Sequence, residues 1–227
     1  SFIGISLGVA VLIIVMSVMN GFRSELTQKI VGFNAHVTIN SYDNKKDSEK
    51  TQNPNLKQIA KKIIISNNSE GIIIHRDYTK GILLKGYKNS DFKKLEIVEK
   101  ESFLGSKKLE SKRISIGREL SYILDVKIND KIIIMSSTGV ETIIGKLPKQ
   151  EAYVISSIFE TGIADFDQNV AFINIRDLEN LFNLENKNRY LEIFLKNPYE
   201  IIKSKEIISN IFVNHIIYTW ADLNKSL

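Results

Sequence analysis

The sequence predicts an α+β fold in which an N-terminal transmembrane helix continues as a stalk into a mixed domain of helices and strands. Residues 1–22 contain no charged side chain and are apolar or small from Phe2 to Met19. About 20 such residues cross a bilayer core as a helix, and a single run in lipid can satisfy its backbone groups only as a helix. After this run the chain is charged and mixed, and helix-like and strand-like patterns alternate.

The first residues also bear on how the chain is organised. Ser1 is not an initiator methionine, and neither a basic leader nor a small-residue cleavage site marks a signal peptide. We therefore expect a piece of a longer membrane protein that starts within a spanning helix. A signal peptide and a buried core helix are the alternatives.

The apolar periodicity continues beyond the membrane-length run. Its positions, spaced 4, 4 and 3 apart, are Phe22, Leu26, Ile30 and Phe33. This spacing predicts an amphipathic stalk helix, which Gly32 or Asn34 can end. Such a stalk either projects rigidly from the membrane or packs on its own domain.

In the first part of the domain, alternation predicts strands and three-to-four spacing predicts helices. Pro54 suits a first helical turn, and Thr79–Gly81 suits a tight turn. Residues 89–113 are weakly periodic. The predicted elements are a strand at 36–40, a polar linker at 41–53, a helix at 54–65, and strands at 71–78 and 81–87.

The second part of the domain begins with a β-rich stretch and returns to helix–strand alternation. The predicted strands are 114–116, 131–136, 152–159, 170–174, 189–195 and 214–220. The predicted helices are 117–125, 175–182, 198–212 and a helix start at 221–227, with turns at 129–130 and 165–169. Between two strong strands, Ser137–Gln150 is long for a connection, and long ordered loops are often functional.

These patterns predict two subdomains, with the β-rich part inserted into an α/β frame. The predicted divisions are membrane helix and stalk 1–34, α/β segments 35–113 and 175–220, β-rich subdomain 114–174 with protruding loop 137–150, and second stalk start 221–227.

Composition excludes several classes of function. The chain has no cysteine, which excludes disulfides and thiolate metal sites. Its formal net charge is +5, but the lysines are scattered, without a basic stripe interleaved with aromatic residues. We therefore expect no nucleic-acid partner.

The search for catalytic groups gives little, and we expect no enzyme, cofactor or metal site. Gly139 and Gly145–Leu147 loosely resemble a phosphate loop, but the spacing is one residue too long and Leu147 replaces the Mg²⁺-binding Ser or Thr. The three histidines, His36, His75 and His215, each lie in a predicted strand, where a hydrogen-bonded ring is commoner than a metal ligand. The acidic group Glu160, Asp165 and Asp167 could bind a cation, although turn capping by Asp is the preferred interpretation.

The chain resembles the LolC/LolE family, the permease subunits of the bacterial lipoprotein-releasing ABC transporter. The most specific segment is Ser17–Phe22 (SVMNGF), supported by Gly4, Gly8–Val9, Leu26, Ile30 and His36–Val37. Weaker matches are Gly81–Ile82, Lys85–Gly86, Ile116–Leu120, Asn129–Asp130, Gly145–Pro148, Ile158–Gly162, Phe166–Asp167 and Trp220–Asn224.

The resemblance implies a MacB-like periplasmic domain, with a porter-like α/β part and a β-rich subdomain, anchored in the bacterial inner membrane. It implies a LolD-like ATPase subunit and a second permease protomer, in a homodimer or heterodimer, as partners. It also implies membrane lipid, a lipoprotein substrate and a LolA-like periplasmic carrier. ATP would be hydrolysed on the partner, and this chain would convert that cycle into motion.

For the loop, the resemblance implies a hairpin that hooks the carrier. Residues 137–150 resemble the hooked, LolC-like form, but depart from it at Ile143 and at the neighbouring Glu151. The stretch 159–167 resembles lineages in which one protein combines both permease roles, so a LolC-like or hybrid identity is expected. The predicted carrier-binding residues are Ile143, Ile144, Gly145, Lys146, Leu147, Pro148, Lys149 and Gln150.

The membrane helix carries small residues, which allow helices to approach closely. We expect this helix to line a protomer interface or a lateral entrance for lipoprotein. The predicted membrane-facing or lipoprotein-facing residues are Gly4, Gly8, Val11, Ser17 and Asn20.

Two other functions are compatible with the same order of elements. One is a MacB- or FtsX-type permease with another substrate or a purely mechanical role. The other is an extracytoplasmic sensor domain between two membrane helices. Three further hydrophobic helices after residue 227 would favour a transporter, whereas one helix followed by heptads would favour a sensor.

Overall fold

The computed structural model describes residues 2–142, 145–185 and 188–223. Its helices are α1 Phe2–Phe33, α2 Asn44–Asp47, α3 Pro54–Ile59, α4 Asn89–Phe92, α5 Glu96–Glu99, α6 Arg118–Ile123, α7 Ala164–Asn169, α8 Ile175–Phe182, α9 Ile201–Ile211 and α10 Trp220–Leu223. Its strands are β1 Val37–Tyr42, β2 Ala60–His75, β3 Tyr78–Tyr87, β4 Leu104–Gly105, β5 Arg113–Gly117, β6 Lys131–Thr142, β7 Gly145–Phe159, β8 Val170–Asn174, β9 Arg189–Leu195 and β10 Ile217–Thr219.

The N-terminal helix is continuous from the apolar run through the stalk. α1 has 32 residues, and by length and composition it is the one helix among the described residues that could cross a membrane. The apolar part of α1 is exposed along its length, because no other element of the domain packs against it. The predicted helix and its end near Gly32 are therefore confirmed.

Six strands close into a ring that forms half of the domain. Hydrogen-bonded pairs run β2–β3–β8–β5–β7–β6 and return from β6 to β2. Closing a sheet in this way removes its free edges and encloses one core. That core contains Ile73, Leu84, Ile116, Ile134 and Tyr153, with α6 and α8 packed against it.

The other half of the domain is an open sheet in the order β10–β1–β9–β2. α3 and α9 cover one face, where Leu56 and Ile208 meet the inward side chains of β1 and β9. α4 and α5 cover the other face, where Phe92 and Val98 pack into a second core.

β2 belongs to both halves of the domain. Its first part, from Ala60 to Ser66, pairs with β9, and Gly71–Ile74 pairs with β6. At the junction Glu192 is buried, and its carboxylate accepts hydrogen bonds from Ser66 Oγ at 2.8 Å and Tyr87 Oη at 2.9 Å. These bonds, with Lys85 Nζ at 3.1 Å, satisfy a charge that would otherwise be costly to bury.

Two predictions around β2 are wrong. The helix predicted over 54–65 ends at Ile59, because Ile63–Ile65 are β-branched and find hydrogen-bond partners on β9. The turn predicted at Thr79–Gly81 lies instead at Arg76–Asp77, with His75 opposite Tyr78. Arg76 takes the positive φ of 51° that this tight turn requires.

Two segments predicted to lack regular structure contain short helices. In the polar linker 41–53, α2 and a 3₁₀ turn at Lys50–Gln52 form around Asp47, whose carboxylate bonds Asp43 N and Lys50 Nζ. The predicted turn at 165–169 is part of α7. Asp and Asn side chains favour both turns and helix starts, so local sequence does not separate the two.

Several other elements are confirmed with their bounds within two residues. These are β5, α6, β8, α8 and β9. The helix predicted at 198–212 and the strand predicted at 214–220 are shorter than predicted, at Ile201–Ile211 and Ile217–Thr219.

Candidate functional site: a projecting hairpin and a membrane-length helix

The segment predicted as a loop, 137–150, is a two-stranded extension of the ring. β6 continues to Thr142 and β7 starts at Gly145, so the strands pair Val140 with Leu147 and Thr142 with Gly145. The register shifts between Met135 and Gly139, which places two extra residues on β6. Such a bulge bends and twists a strand pair. The local pattern predicted a loop here, whereas the resemblance implied a hairpin; both strands keep pairing beyond the ring, so the segment is a hairpin.

Side chains fix the base of this hairpin to the domain. Ser137 Oγ donates to Glu70 O at 2.9 Å, and Lys149 N donates to Ser136 Oγ at 3.1 Å. Lys149 Nζ reaches Asn180 O at 2.7 Å. The hairpin base is therefore held from both β2 and α8.

The carboxylate of Glu151 also stabilises the hairpin base through charged and hydrogen-bonded contacts. Its carboxylate pairs with Lys112 and accepts from Tyr153 Oη at 3.2 Å. Burial alone would raise the pKa of Glu151, but the hydrogen bond and charge of Lys112 outweigh it and hold that pKa below its usual value. Burial beside Glu151 in turn raises the pKa of Tyr153.

Beyond the base, the predicted carrier-binding residues are largely exposed. Leu147 is 50% exposed, and Gly145, Pro148 and Gln150 are also exposed, while Lys149 is half-buried by its contact with α8. The backbone of Lys146 pairs opposite Glu141. Ile143 and Ile144 lie outside the described residues. The hairpin therefore exposes Leu147 and Pro148 to solvent, while its base is held by contacts with β2 and α8.

The residues predicted to face lipid or lipoprotein fall on two sides of α1. At 3.6 residues per turn, Gly4, Gly8 and Val11 lie within about 60° of one another, whereas Ser17 and Asn20 lie on the opposite side. All five are exposed, and nothing lies within 4 Å of a Cβ built on Gly4 or Gly8. The helix therefore does not bring the predicted set together on one face.

At its C-terminal end α1 packs on the domain. Val31 is buried, and the ring of Phe33 meets that of Phe166 edge-on at 4.5 Å between centroids. His36 accepts from Leu195 N through Nδ1 at 2.8 Å, so its Nε2–H donates to Val31 O at 2.9 Å. Burial lowers the pKa of His36, which favours this neutral form. The stalk thus projects over most of its length and is clamped at its last turn.

The remaining candidate groups have structural partners. His75 Nδ1 bonds Lys131 O at 3.0 Å and His215 Nε2 bonds Asp47 Oδ2 at 3.1 Å, and His36 and His215 lie outside strands, contrary to the prediction. Gly139 and Gly145 lie in the two paired strands of the hairpin and not in a loop before a helix. Within residues 2–142, 145–185 and 188–223, no group of three or more His, Asp or Glu side chains could hold a metal ion.

Two members of the acidic group have clear structural roles: Asp167 caps backbone and side-chain donors, and Glu160 forms an ion pair. Asp167 is 2% exposed and accepts from Thr161 N at 2.9 Å and from Thr161 Oγ1 at 2.7 Å. Glu160 pairs with Arg118 at 2.7 Å. The capping interpretation is therefore the one that the contacts support.

Sequence reasoning missed the contact between Phe33 and Phe166. Phe33 was assigned only to the apolar face of the stalk. The available signal was the motif containing Phe166–Asp167, which the resemblance marked without giving it a role.

Curated relatives align with most of this chain. It is 30% identical over 235 residues to the lipoprotein-releasing system transmembrane protein LolC of Buchnera aphidicola, covering 97% of this chain and 55% of the relative. The proteins of the same name from Haemophilus influenzae and Neisseria meningitidis are 28% and 25% identical over 88% and 87% of this chain. The chain is LolC-like. It spans about half the length of these relatives, 49–55%.

Solved structures with related arrangements are more distant, and no protein-family model matches the chain. The periplasmic region of MacB from Actinobacillus actinomycetemcomitans aligns with a TM-score of 0.48 and 8% identity, over 86% of this chain and 94% of that one. The extracellular domain of the ABC-type transporter YknZ from Gram-positive bacteria aligns with a TM-score of 0.43 and 9% identity, over 80% and 100%. The architecture described above rests on the strand pairings of this LolC-like chain itself.

Proposed function

We propose that this LolC-like chain is part of the permease subunit of an ATP-driven transporter that extracts lipoproteins from the bacterial inner membrane. In this proposal α1 spans that membrane, the mixed domain is periplasmic, and ATP is hydrolysed on a separate LolD-like subunit. A second permease protomer completes the membrane part. Support comes from the similarity to proteins named as lipoprotein-releasing and from a helix long enough to span.

The hairpin 137–150 is the proposed docking site for a LolA-like carrier, and the exposure of Leu147 on a braced hairpin is the observation that carries this assignment. Exposed apolar side chains on rigid supports are suited to anchor an interface. Lys149 and Gln150 then lie at the rim, where charge affects the association rate more than the affinity.

The test is a titration of the assembled transporter with the carrier. Replacing Leu147 with Asp should weaken binding about tenfold or more, as expected for an interface anchor. Ile133→Asp is a matched control, because Ile133 is also partly exposed, at 40%, but lies on β6 within the ring. The hairpin is not the docking site for the carrier if the affinity is unchanged after Leu147→Asp, and also after deletion of 140–147 with the remaining domain folded.

The same assembly tests the membrane helix. We assign Gly4, Gly8 and Val11 to a protomer interface or lateral entrance because they lie on one side of α1, where the two glycines allow another helix to approach closely. Val11→Glu should abolish lipoprotein release while the domain stays folded. Ile13→Glu, on the other side of α1, controls for the cost of a carboxyl group in lipid. Normal release with Val11→Glu, or equal loss from both variants, would argue against a specific role for this face.

A further inference from the structure

Three phenylalanine rings connect the end of the membrane helix to the strand that carries the hairpin. Phe33, the last residue of α1, meets Phe166 of α7 at 4.5 Å between ring centroids. Phe166 meets Phe159, the last residue of β7, at 6.2 Å. Both pairs are edge-on, a favourable geometry for aromatic rings. We call these three residues the aromatic junction.

The middle ring of the junction is held in place by its own segment. The carboxylate of Asp167, the next residue, is buried and accepts both Thr161 N–H and Thr161 Oγ1–H. On the other side α7 packs directly on β5, because a Cβ built on Gly117 would lie 1.9 Å from Asp167 O. Phe166 therefore cannot shift without moving the end of the ring of strands.

β7 runs from this position to the hairpin as one strand, with a single extra residue, Ser156, where its pairing with β5 shifts register. It has 15 residues, from Gly145 to Phe159, and at about 3.3 Å per residue it spans roughly 45–50 Å. β6, β5 and β4 pair along it. A paired strand of this kind is stiff along its axis, so a displacement at Phe159 is transmitted to residues 145–150.

The covalent route from α1 leads elsewhere. After Phe33 the chain enters β1, which lies in the open sheet between β10 and β9. His36 reinforces that route through its bonds to Val31 O and Leu195 N. The hairpin belongs to the closed ring, and the two halves share β2. The aromatic junction is therefore a direct side-chain contact from the stalk into the half that carries the hairpin.

We propose that Phe166 is a positioning residue that transmits movement of α1 to the hairpin 137–150. The contact makes the stalk end, α7 and the end of β7 move as one body. Without it the stalk would act on the hairpin only indirectly, through the open sheet and the shared strand β2, and the hairpin would lag behind. This inference rests on the proposed function, since it assumes that a nucleotide cycle on a partner moves α1.

The decisive measurement is a distance in the complete transporter reconstituted in lipid vesicles with its ATPase subunit. Nitroxide labels are attached at Glu25→Cys on the stalk and Gln150→Cys on the hairpin; these 227 residues contain no other cysteine, and any cysteine elsewhere in the assembly is first replaced by serine. The distance distribution is compared between nucleotide-free and ATP-trapped states. In the parent we expect this distance to stay the same in the two states, because the stalk and the hairpin move together, and in Phe166→Ala we expect it to change because the hairpin lags behind.

Function is measured on the same variants. Phe166→Ala should lower lipoprotein release by about tenfold, within the usual range of coupling between sites, and leave carrier affinity within about twofold. Phe33→Ala should also lower release, and the double variant should be no worse than Phe166→Ala, because Phe166→Ala already removes the contact with Phe33. Phe166→Tyr keeps the ring and should retain release.

Phe212→Leu is the control that distinguishes a loss of coupling from a general loss of stability. Phe212 is fully buried among the residues beneath α9 and has no part in the junction. Equal loss of release from Phe212→Leu and Phe166→Ala overturns the proposal, as does a distance that changes between the two states in the parent or one that stays constant in Phe166→Ala. Since the distance needs no carrier, failure of hairpin docking and failure of this coupling give different results.

Discussion

The segment that starts β7 and the segment that follows its end are similar in amino-acid composition but differ in structure. At its start Gly145–Gln150 forms one side of a hairpin that meets solvent, and Leu147 is half exposed there. At its end the chain enters residues 160–169, where Thr161 and Asp167 are buried and hydrogen-bonded to each other. Both stretches are short, polar and punctuated by glycine. The difference shows that packing against a second element, and not local composition, separates an exposed arm from a fixed anchor.

The largest effect should come from filling the space between β5 and α7. Gly117 has an ordinary φ of −72°, so Gly117→Ala is strained only by the contact with Asp167 O at 1.9 Å. We expect the free energy of unfolding to fall by about 3 kcal/mol or more, at the upper end for overpacking. Gly81→Ala, with nothing within 4 Å of its Cβ, is the control. Equal urea midpoints for the two variants would show that β5 and α7 are packed less tightly at Gly117 and Asp167 than the distance implies.

A smaller loss should follow removal of the buried cap. Asp167→Ala leaves Thr161 N–H and Oγ1–H without their acceptor, which costs about 1–3 kcal/mol in free energy of unfolding. Asp165→Ala is matched in chemistry and position but exposed, and should change stability by no more than about 0.5 kcal/mol. Urea unfolding followed by circular dichroism measures both. If the two variants were equally stable, the contrast between buried and exposed ends of β7 would not hold.

The smallest effect is expected at the hairpin base and depends on pH. The folded-state pKa of Glu151 lies below its ordinary value of 4.5, so its pairing with Lys112 stabilises the fold above that pH and is lost as pH falls through the lowered pKa. An NMR titration of the Glu151 carboxyl should show this lowered pKa in the parent. Replacing Lys112 with Met should raise it. A pKa of Glu151 that does not change on this replacement would mean that Lys112 does not stabilise the hairpin base.

Much of the fold was accessible from local pattern. The bounds of β8, α8 and β9 were predicted correctly because their alternating or helical spacing agrees with the face that each element buries. The hairpin was located between the right strands, but its paired strands were predicted as a loop. Glycine and proline there suggest a loop, whereas the cross-strand pairs from Gly139–Pro148 to Thr142–Gly145 depend on a partner strand.

The errors around β2 have the same origin. Leu56, Ile59, Ala60, Ile63 and Ile64 fit a helical face, but only the first two lie in α3. Asn67–Glu70 was assigned to no element from the sequence, yet it is paired along its length with Leu83–Gly86. Backbone hydrogen bonds to β3 and β9 hold the chain extended whatever the local preference.

The sequence by itself determined the membrane-length helix, the alternation of helices and strands, and the LolC-like identity. Each depends on information carried by consecutive residues, namely apolar length, periodicity and motif. Only the tertiary structure decided that the strands close into a ring, that β2 joins the two halves, and that Phe33 meets Phe166. Those features are contacts between segments far apart in the chain, and their free energy depends on burial and pairing that no single segment contains.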